Sequence, residues 1–431
     1  MTLLLIVAAV AGLMLLFILP RRVLPLVALI VMVLVPVGYM DLSRTIGRYY
    51  TPAVIIIFVW ALRLIFAKKE ERVAGRPSAA GVLWLPVLGL LTISTIASSS
   101  VSLSLSWIAT VAVAAILPYY LGRSRAEEVW RGSQIVYVVI ALFLGALAAS
   151  DYFFGINPWT SLFSYDVNEK VWSVFRTRTS LGHPLVTATV ASVCTMVALF
   201  GQRIPRILRI AGLVGGGAAL VLAVSRTSVL AVALGVAVGC LVLLFGPRAE
   251  SGKSRRLPGF LLLIAGVGFL LVVTNSPLLA ERNESTGGVA SSMYREESTG
   301  VALSMISKHW FIGTGPGTAP TQFAEVYDGP LENSALQLFL SLGVPLASMA
   351  LLAVAILILR LAFRGEATLA AGLLAFAVSL VGFSAIDVNP AMLALLSPLL
   401  YRAGQVLSGV DKRATELALA QPKQTARLGL Y

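Results

Sequence analysis

Charged residues are scarce in this sequence: Asp, Glu, Lys and Arg make up 12% of its 431 residues. A soluble domain of this size carries about twice that fraction, so a soluble globular protein is excluded. Cysteine is nearly absent, with two copies, Cys194 and Cys240, both inside long apolar runs. That spacing offers neither a disulfide framework nor a metal site, and buried small hydrophobes are the ordinary reading. Histidine also occurs only twice, as His183 and His309. No internal repeat or low-complexity segment stands out.

Long apolar runs fill the rest. The composition is 58% hydrophobic with a mean hydropathy of +0.89. Apolar stretches of roughly 15–23 residues predict about thirteen membrane spans. They fall near 2–19, 23–39, 52–67, 79–97, 101–120, 135–150, 184–200, 208–224, 228–245, 258–274, 335–358, 367–386 and 389–403. Lipid forces backbone groups to pair within each segment, so the expected fold is an all-α polytopic bundle of about 12–13 spans. It forms one membrane domain over 1–410, followed by a polar tail over 411–431. The first segment lacks a basic start and runs into Arg21-Arg22, which favours a true span over a cleaved signal peptide. Odd-numbered connections and the tail hold 24 of the 33 Lys and Arg but 8 of the 20 Asp and Glu. By the positive-inside rule that side is cytoplasmic. The +13 net charge therefore reflects topology and contact with membrane lipids, not nucleic acid.

With that topology the external polar material collects in two connections, 151–183 and about 275–333. Loops as long as the second usually have a role. Its Tyr294, Val301, Leu303, Met305 and Ile306 recur at helical spacing and predict an amphipathic helix from Tyr294 to Trp310. "GTGPGT" then breaks the helix with Gly313, Gly315 and Gly317. It lacks the strand-to-helix context of a nucleotide-binding loop. External arginines, Arg176, Arg178, Arg226, Arg282 and Arg295, outnumber external lysines, Lys170 and Lys308. The guanidinium fork takes phosphate oxygens in pairs, so this bias fits a lipid-linked diphosphate, with headgroup anchoring as the plainer alternative. Arg226, alone in a tight turn between spans, is costly unless it faces a cavity. Glu332 lies where the loop enters a span, followed by Asn333 and Gln337 on one helix face. A carboxylate at a membrane surface suits a general base, and an acid favoured by the helix dipole is the rival reading. His183 and His309 are further candidates for proton transfer.

Three signatures in order resemble the O-antigen ligase and polymerase superfamily of bacterial envelope glycosyltransferases. They are Ser225-Arg226-Thr227-Ser228 between spans; Arg295 leading a helix to His309, Gly313, Gly315 and Gly317; and Glu332-Asn333 followed by Leu336-Gln337 and Gly343. Gly182-His183-Pro184 matches an upstream Gly-x-Pro element, so the resemblance covers roughly residues 170–360. It implies a multi-pass protein of the bacterial inner or plasma membrane, with its active site on the external face. The implied reaction is inverting, needs no metal or other cofactor, and uses a glycan on undecaprenyl diphosphate. An acceptor glycan or lipid-glycan receives it. Arg226 and Arg295, with Arg176, Arg178 and Asn333, would hold the diphosphate. Glu332, His309 or His183 would deprotonate the acceptor. The family usually has about twelve spans and a His-Asn pair where this chain has Glu332-Asn333.

A transporter or flippase for lipid-linked oligosaccharide is the main rival. Transporters tend to carry charges and broken helices at the bilayer midplane in repeated halves. Here charges sit at span ends, and the glycine-broken "GLVGGGAAL" has none. A metal-dependent polyprenyl enzyme would need a second acid beside Asp41, and a scaffold would not explain the arginines.

Overall fold

The computed structural model describes residues 14, 16–35, 49–67, 80–125, 128–163, 175–202, 204–246, 256–275, 286–382 and 385–410. Most of the expected first span, Asp41, Lys170, Arg282 and the tail from 411 lie outside the described residues. The chain is all-α. In order run α1 (Leu24–Leu34), α2 (Pro52–Ile65), α3 (Ala80–Ile96), α4 (Val101–Gly122), α5 (Trp130–Phe154) and α6 (Pro158–Phe163). Then come α7 (Pro184–Phe200), α8 (Arg206–Leu222), α9 (Arg226–Phe245), α10 (Arg256–Thr274) and α11 (Thr286–Lys308). The last are α12 (Ala319–Ala324), α13 (Ser334–Phe363), α14 (Ala367–Ser379), α15 (Ala385–Val388) and α16 (Ser397–Ser408). Prolines open α2 and α7, where the missing N–H costs no helical bond.

Helix α7 is the axis of the bundle. Every residue from Pro184 to Phe200 except Leu199 is buried, including Cys194, and the helix packs on α5, α8, α9 and α14. Cys240 is likewise buried, in α9. Between apolar helices in lipid, association rests on close packing, which small residues permit. The glycines of "GLVGGGAAL" supply it: a Cβ on Gly145 would lie 2.2 Å from Gly215 O, and one on Gly216 would lie 2.2 Å from Thr195 Oγ1. They do not break the chain as the sequence suggested; α8 runs continuously through them.

Among the described residues four helices are long and apolar enough to cross a membrane: Val101–Gly122, Trp130–Phe154, Arg226–Phe245 and Ser334–Phe363. Five shorter apolar helices accompany them. The expected spans 367–386 and 389–403 are not two plain helices. After α14 the chain makes a 3₁₀ turn at Leu380–Gly382, the short α15, and a 3₁₀ segment at Pro390–Leu396 before α16. Pro390 has no N–H to donate to the turn before it, so an α-helix cannot continue through it from α15.

At the end of the bundle away from the 275–333 connection, arginines close helix C-termini. Arg63 donates to Leu16 O and Leu19 O, Arg125 to Leu64 O at 2.6 Å, and Arg209 to Gly201 O. Terminal carbonyls without helical partners thus receive cationic donors, which the helix dipole also favours. Several basic residues that the sequence assigned to orientation alone therefore also tie helices together.

Candidate functional site

The opposite end, called here the loop end, is organised by a break in α13. Gly343 leaves the helical region (φ +75, ψ 165) and Pro345 has no N–H, so the carbonyls of Leu340 and Ser341 lose their helical donors. The "GTGPGT" turn replaces both. Thr314 N donates to Leu340 O at 2.8 Å and Gly315 N to Ser341 O at 3.0 Å, while Val344 N donates to Trp310 O at 2.6 Å. This exchange brings two backbones into contact. A Cβ on Gly313 would lie 2.4 Å from Ser341 O, and one on Gly343 would lie 2.4 Å from Phe311 O. Gly315 and Gly317 meet Ser98 and Trp107 in the same way. All four glycines have positive φ, where side chains are strained.

Leading into that turn is α11, which begins eight residues before the expected start. Ser298 is buried, and Ala302, Met305 and Ile306 face inward and pack with Phe323, Leu331 and Leu340. Leu303, expected on the apolar face, is exposed. Three contacts join the helix to the segment before α13. Tyr294 donates to Pro330 O at 2.9 Å, Tyr327 donates to Glu297 Oε2 at 3.0 Å, and Arg295 binds Glu332. Burial, then Tyr327, Glu332 and Asp328, push the Tyr294 phenol up to about 12, so it remains a donor.

The Arg295–Glu332 pair is the centre of this wall. Nε (3.1 Å) and Nη2 (2.8 Å) both converge on Glu332 Oε2, and among the described residues nothing bonds Oε1. The side chains are 38% and 28% exposed. An ion pair this open to water contributes about 0–1 kcal/mol. Asn333 stands outside α13 as its N-cap, Oδ1 accepting from Ala335 N (3.0 Å) and Leu336 N (3.1 Å). Gln337, expected beside it on one face, is instead buried, donating to Leu331 O at 2.8 Å. His309 is exposed in the turn that follows α11, and its imidazole makes no hydrogen bond among the described residues.

A second arginine-bearing structure forms where the 175–183 segment lies on the end of α8, just before α9. Arg176 is buried, its Nε donating to Ala223 O at 3.0 Å, and Thr177 N donates to Leu222 O at 3.2 Å. Arg178 N donates to Asp151 Oδ2. Thr179 (φ +54) and Val224 (φ +48), both β-branched, hold left-handed backbone conformations at this junction. Such residues are outliers, and strain of this kind concentrates at functional sites. Ser225 caps α9, and Arg226, its first residue, is exposed with no hydrogen bond or ion pair among the described residues. His183 caps α7, Nδ1 accepting from Leu185 N at 3.2 Å. Burial, Arg176 and Arg178 hold its imidazole down at about 3, so it is neutral.

The two structures are joined by the break after α14. A Cβ on Gly382 would lie 2.1 Å from Thr227 Oγ1, and α15 packs on α12 and α13. Asp387 of α15 is 1% exposed and accepts from Trp107 Nε1 at 2.5 Å. Sequence reasoning missed this acid. A lone carboxylate between apolar runs is costly in a membrane and was the available signal.

Residues 211–351, from α8 through the connection into α13, match the family model described as O-antigen ligase. The match supports an assignment to the O-antigen ligase superfamily over that stretch, and the class it points to in general is a membrane glycosyltransferase of the ligase/polymerase type. It spans roughly a third of the sequence. Arg226, Arg295, His309, Glu332, Asn333 and the glycines of the joint lie within it; Arg176, Arg178, His183 and Asp387 lie outside. No curated protein matches the chain.

Proposed function

We propose that this protein transfers or polymerises glycan units from an undecaprenyl-diphosphate-linked donor at the external face of the bacterial inner or plasma membrane. The observation that carries the reading is the Arg295–Glu332 pair at the mouth of α13, with the open Arg226 at the head of α9. In an inverting transfer the acceptor hydroxyl attacks the anomeric carbon as the sugar–phosphate bond breaks. The hydroxyl proton must go to a base, and negative charge must gather on the departing diphosphate. Glu332 is the proton acceptor in this scheme, with the solvent-open His309 as the second candidate. Arg226 and Arg295, supported by Arg178 and the buried Arg176, stabilise the diphosphate as charge develops. Asn333 serves through its cap, which fixes Glu332 at the helix entrance. His183, engaged as a cap and held neutral, is a weak base and serves the start of α7.

Single replacements Arg226→Ala, Arg295→Ala and Glu332→Ala test the scheme, followed through surface polysaccharide and lipid-linked intermediates. Loss of polysaccharide with accumulation of the lipid-linked donor on the outer leaflet is expected. Donor accumulating on the inner leaflet would instead favour a flippase, and normal polysaccharide in all three variants would end the proposal.

A further inference from the structure

From the geometry of the Arg295–Glu332 pair we infer that donor binding releases the base: the diphosphate takes Arg295 from Glu332 and frees the carboxylate for proton transfer. The inference rests on the preceding reading, because it supposes that Arg295 meets a diphosphate and Glu332 an acceptor hydroxyl. Three features support it. Both guanidinium bonds end on the single oxygen Oε2, so the acid does not match the two-pronged fork. A diphosphate offers several oxygens and more charge, and can take Nε and Nη2 on separate oxygens. The pair is also open to water, so its opening needs no buried charge to be left unpaired. With the diphosphate on Arg295, both carboxylate oxygens of Glu332 are free to accept the proton of an incoming hydroxyl. Without donor, the base stays occupied, which suppresses proton transfer at an empty site.

The alternative is a fixed pair, in which Glu332 holds Arg295 in place and the remaining N–H groups meet the diphosphate. The two predict opposite effects of removing the carboxylate charge. Binding of inorganic pyrophosphate to the purified full-length protein in phosphatidylcholine nanodiscs is measured for wild type, Glu332→Gln, Arg295→Ala and Glu297→Gln. Glu297 lies on the same helix and bonds Tyr327, so it reports the general effect of removing one nearby acid. Exchange predicts that Glu332→Gln tightens binding about threefold or more beyond Glu297→Gln. Arg295→Ala weakens it. A Glu332→Gln affinity equal to or weaker than that of Glu297→Gln, with Arg295→Ala still weakening binding, overturns the exchange alone. Binding that ignores Arg295→Ala overturns both the exchange and the diphosphate role of Arg295. A lipid phosphodiester is the other source of phosphate. If glycerophosphoglycerol reproduces the Glu332→Gln gain and pyrophosphate does not, the ligand is a headgroup and the inference is wrong.

Discussion

His183 shows how one side chain can be read as chemistry and yet serve the fold. Its Nδ1 accepts the first free amide of α7, while burial first, then Arg176 and Arg178, disfavour a positive ring. The linkage follows from the sign of the shift. The unfolded chain takes up a proton near 6.5, whereas the folded imidazole refuses it until about 3. Stability from this group is therefore present above about pH 6.5 and lost as pH falls toward 3, at up to about 1.4 kcal/mol per pH unit. Thermal unfolding of the detergent-solubilised protein across that range should show the decline. His183→Asn, which can still cap, should flatten it, and an unchanged slope would remove His183 as its source. At the same scale Arg226 and Glu332 stood out as candidates because an ionisable residue among apolar runs has few ordinary explanations. The bond between Glu332 and Arg295 was not, since 37 positions separate them and no local period links them.

Among the elements, the joint between the glycine turn and α13 sets the shape of the site wall. The sequence announced a sharp turn at Gly313, Gly315 and Gly317 and placed α7 at 184–200, where it is found. It could not announce that the turn's amides would serve the carbonyls orphaned by Gly343 and Pro345, because that need arises only when the elements meet. Helical periodicity failed at Leu303 for a related reason: the buried stripe of α11 is chosen by what packs on it, α12 and α13, not by its own hydrophobicity. Gly343→Ala should cost about 1–3 kcal/mol, from positive φ together with the clash against Phe311 O. The loss should appear as a lower folded fraction by size exclusion. Pro345→Ala should be mild, because Ser341 O already has its donor in Gly315 N. Equal damage from both would refute the joint as described.

For the whole molecule, the distribution of charge carries two messages at once. Most basic residues are expected on the cytoplasmic side, and there Arg63, Arg125 and Arg209 also close helix ends. Orientation can be measured directly. Cys194 and Cys240 are buried, so Ser304→Cys on exposed α11 and Arg364→Cys at the other end give separate signals. An impermeant maleimide on intact cells should label position 304 and reach 364 only after permeabilisation; the reverse pattern would invert the topology. The all-α helical bundle was readable from apolar length, yet the broken stretch after α14 was not. Asp387 and Pro390 interrupt a run whose average hydropathy still looks like membrane. The joint at Gly343 has one more consequence. It is fastened largely main chain to main chain, with Thr314 Oγ1 donating to Leu340 O and Ser341 Oγ accepting from Ala319 N beside it, so Trp310 enters it through its backbone alone. Leu340 and Ser341 are buried and held, whereas the exposed Trp310 side chain is free to change while the frame at the head of α13 stays where it is.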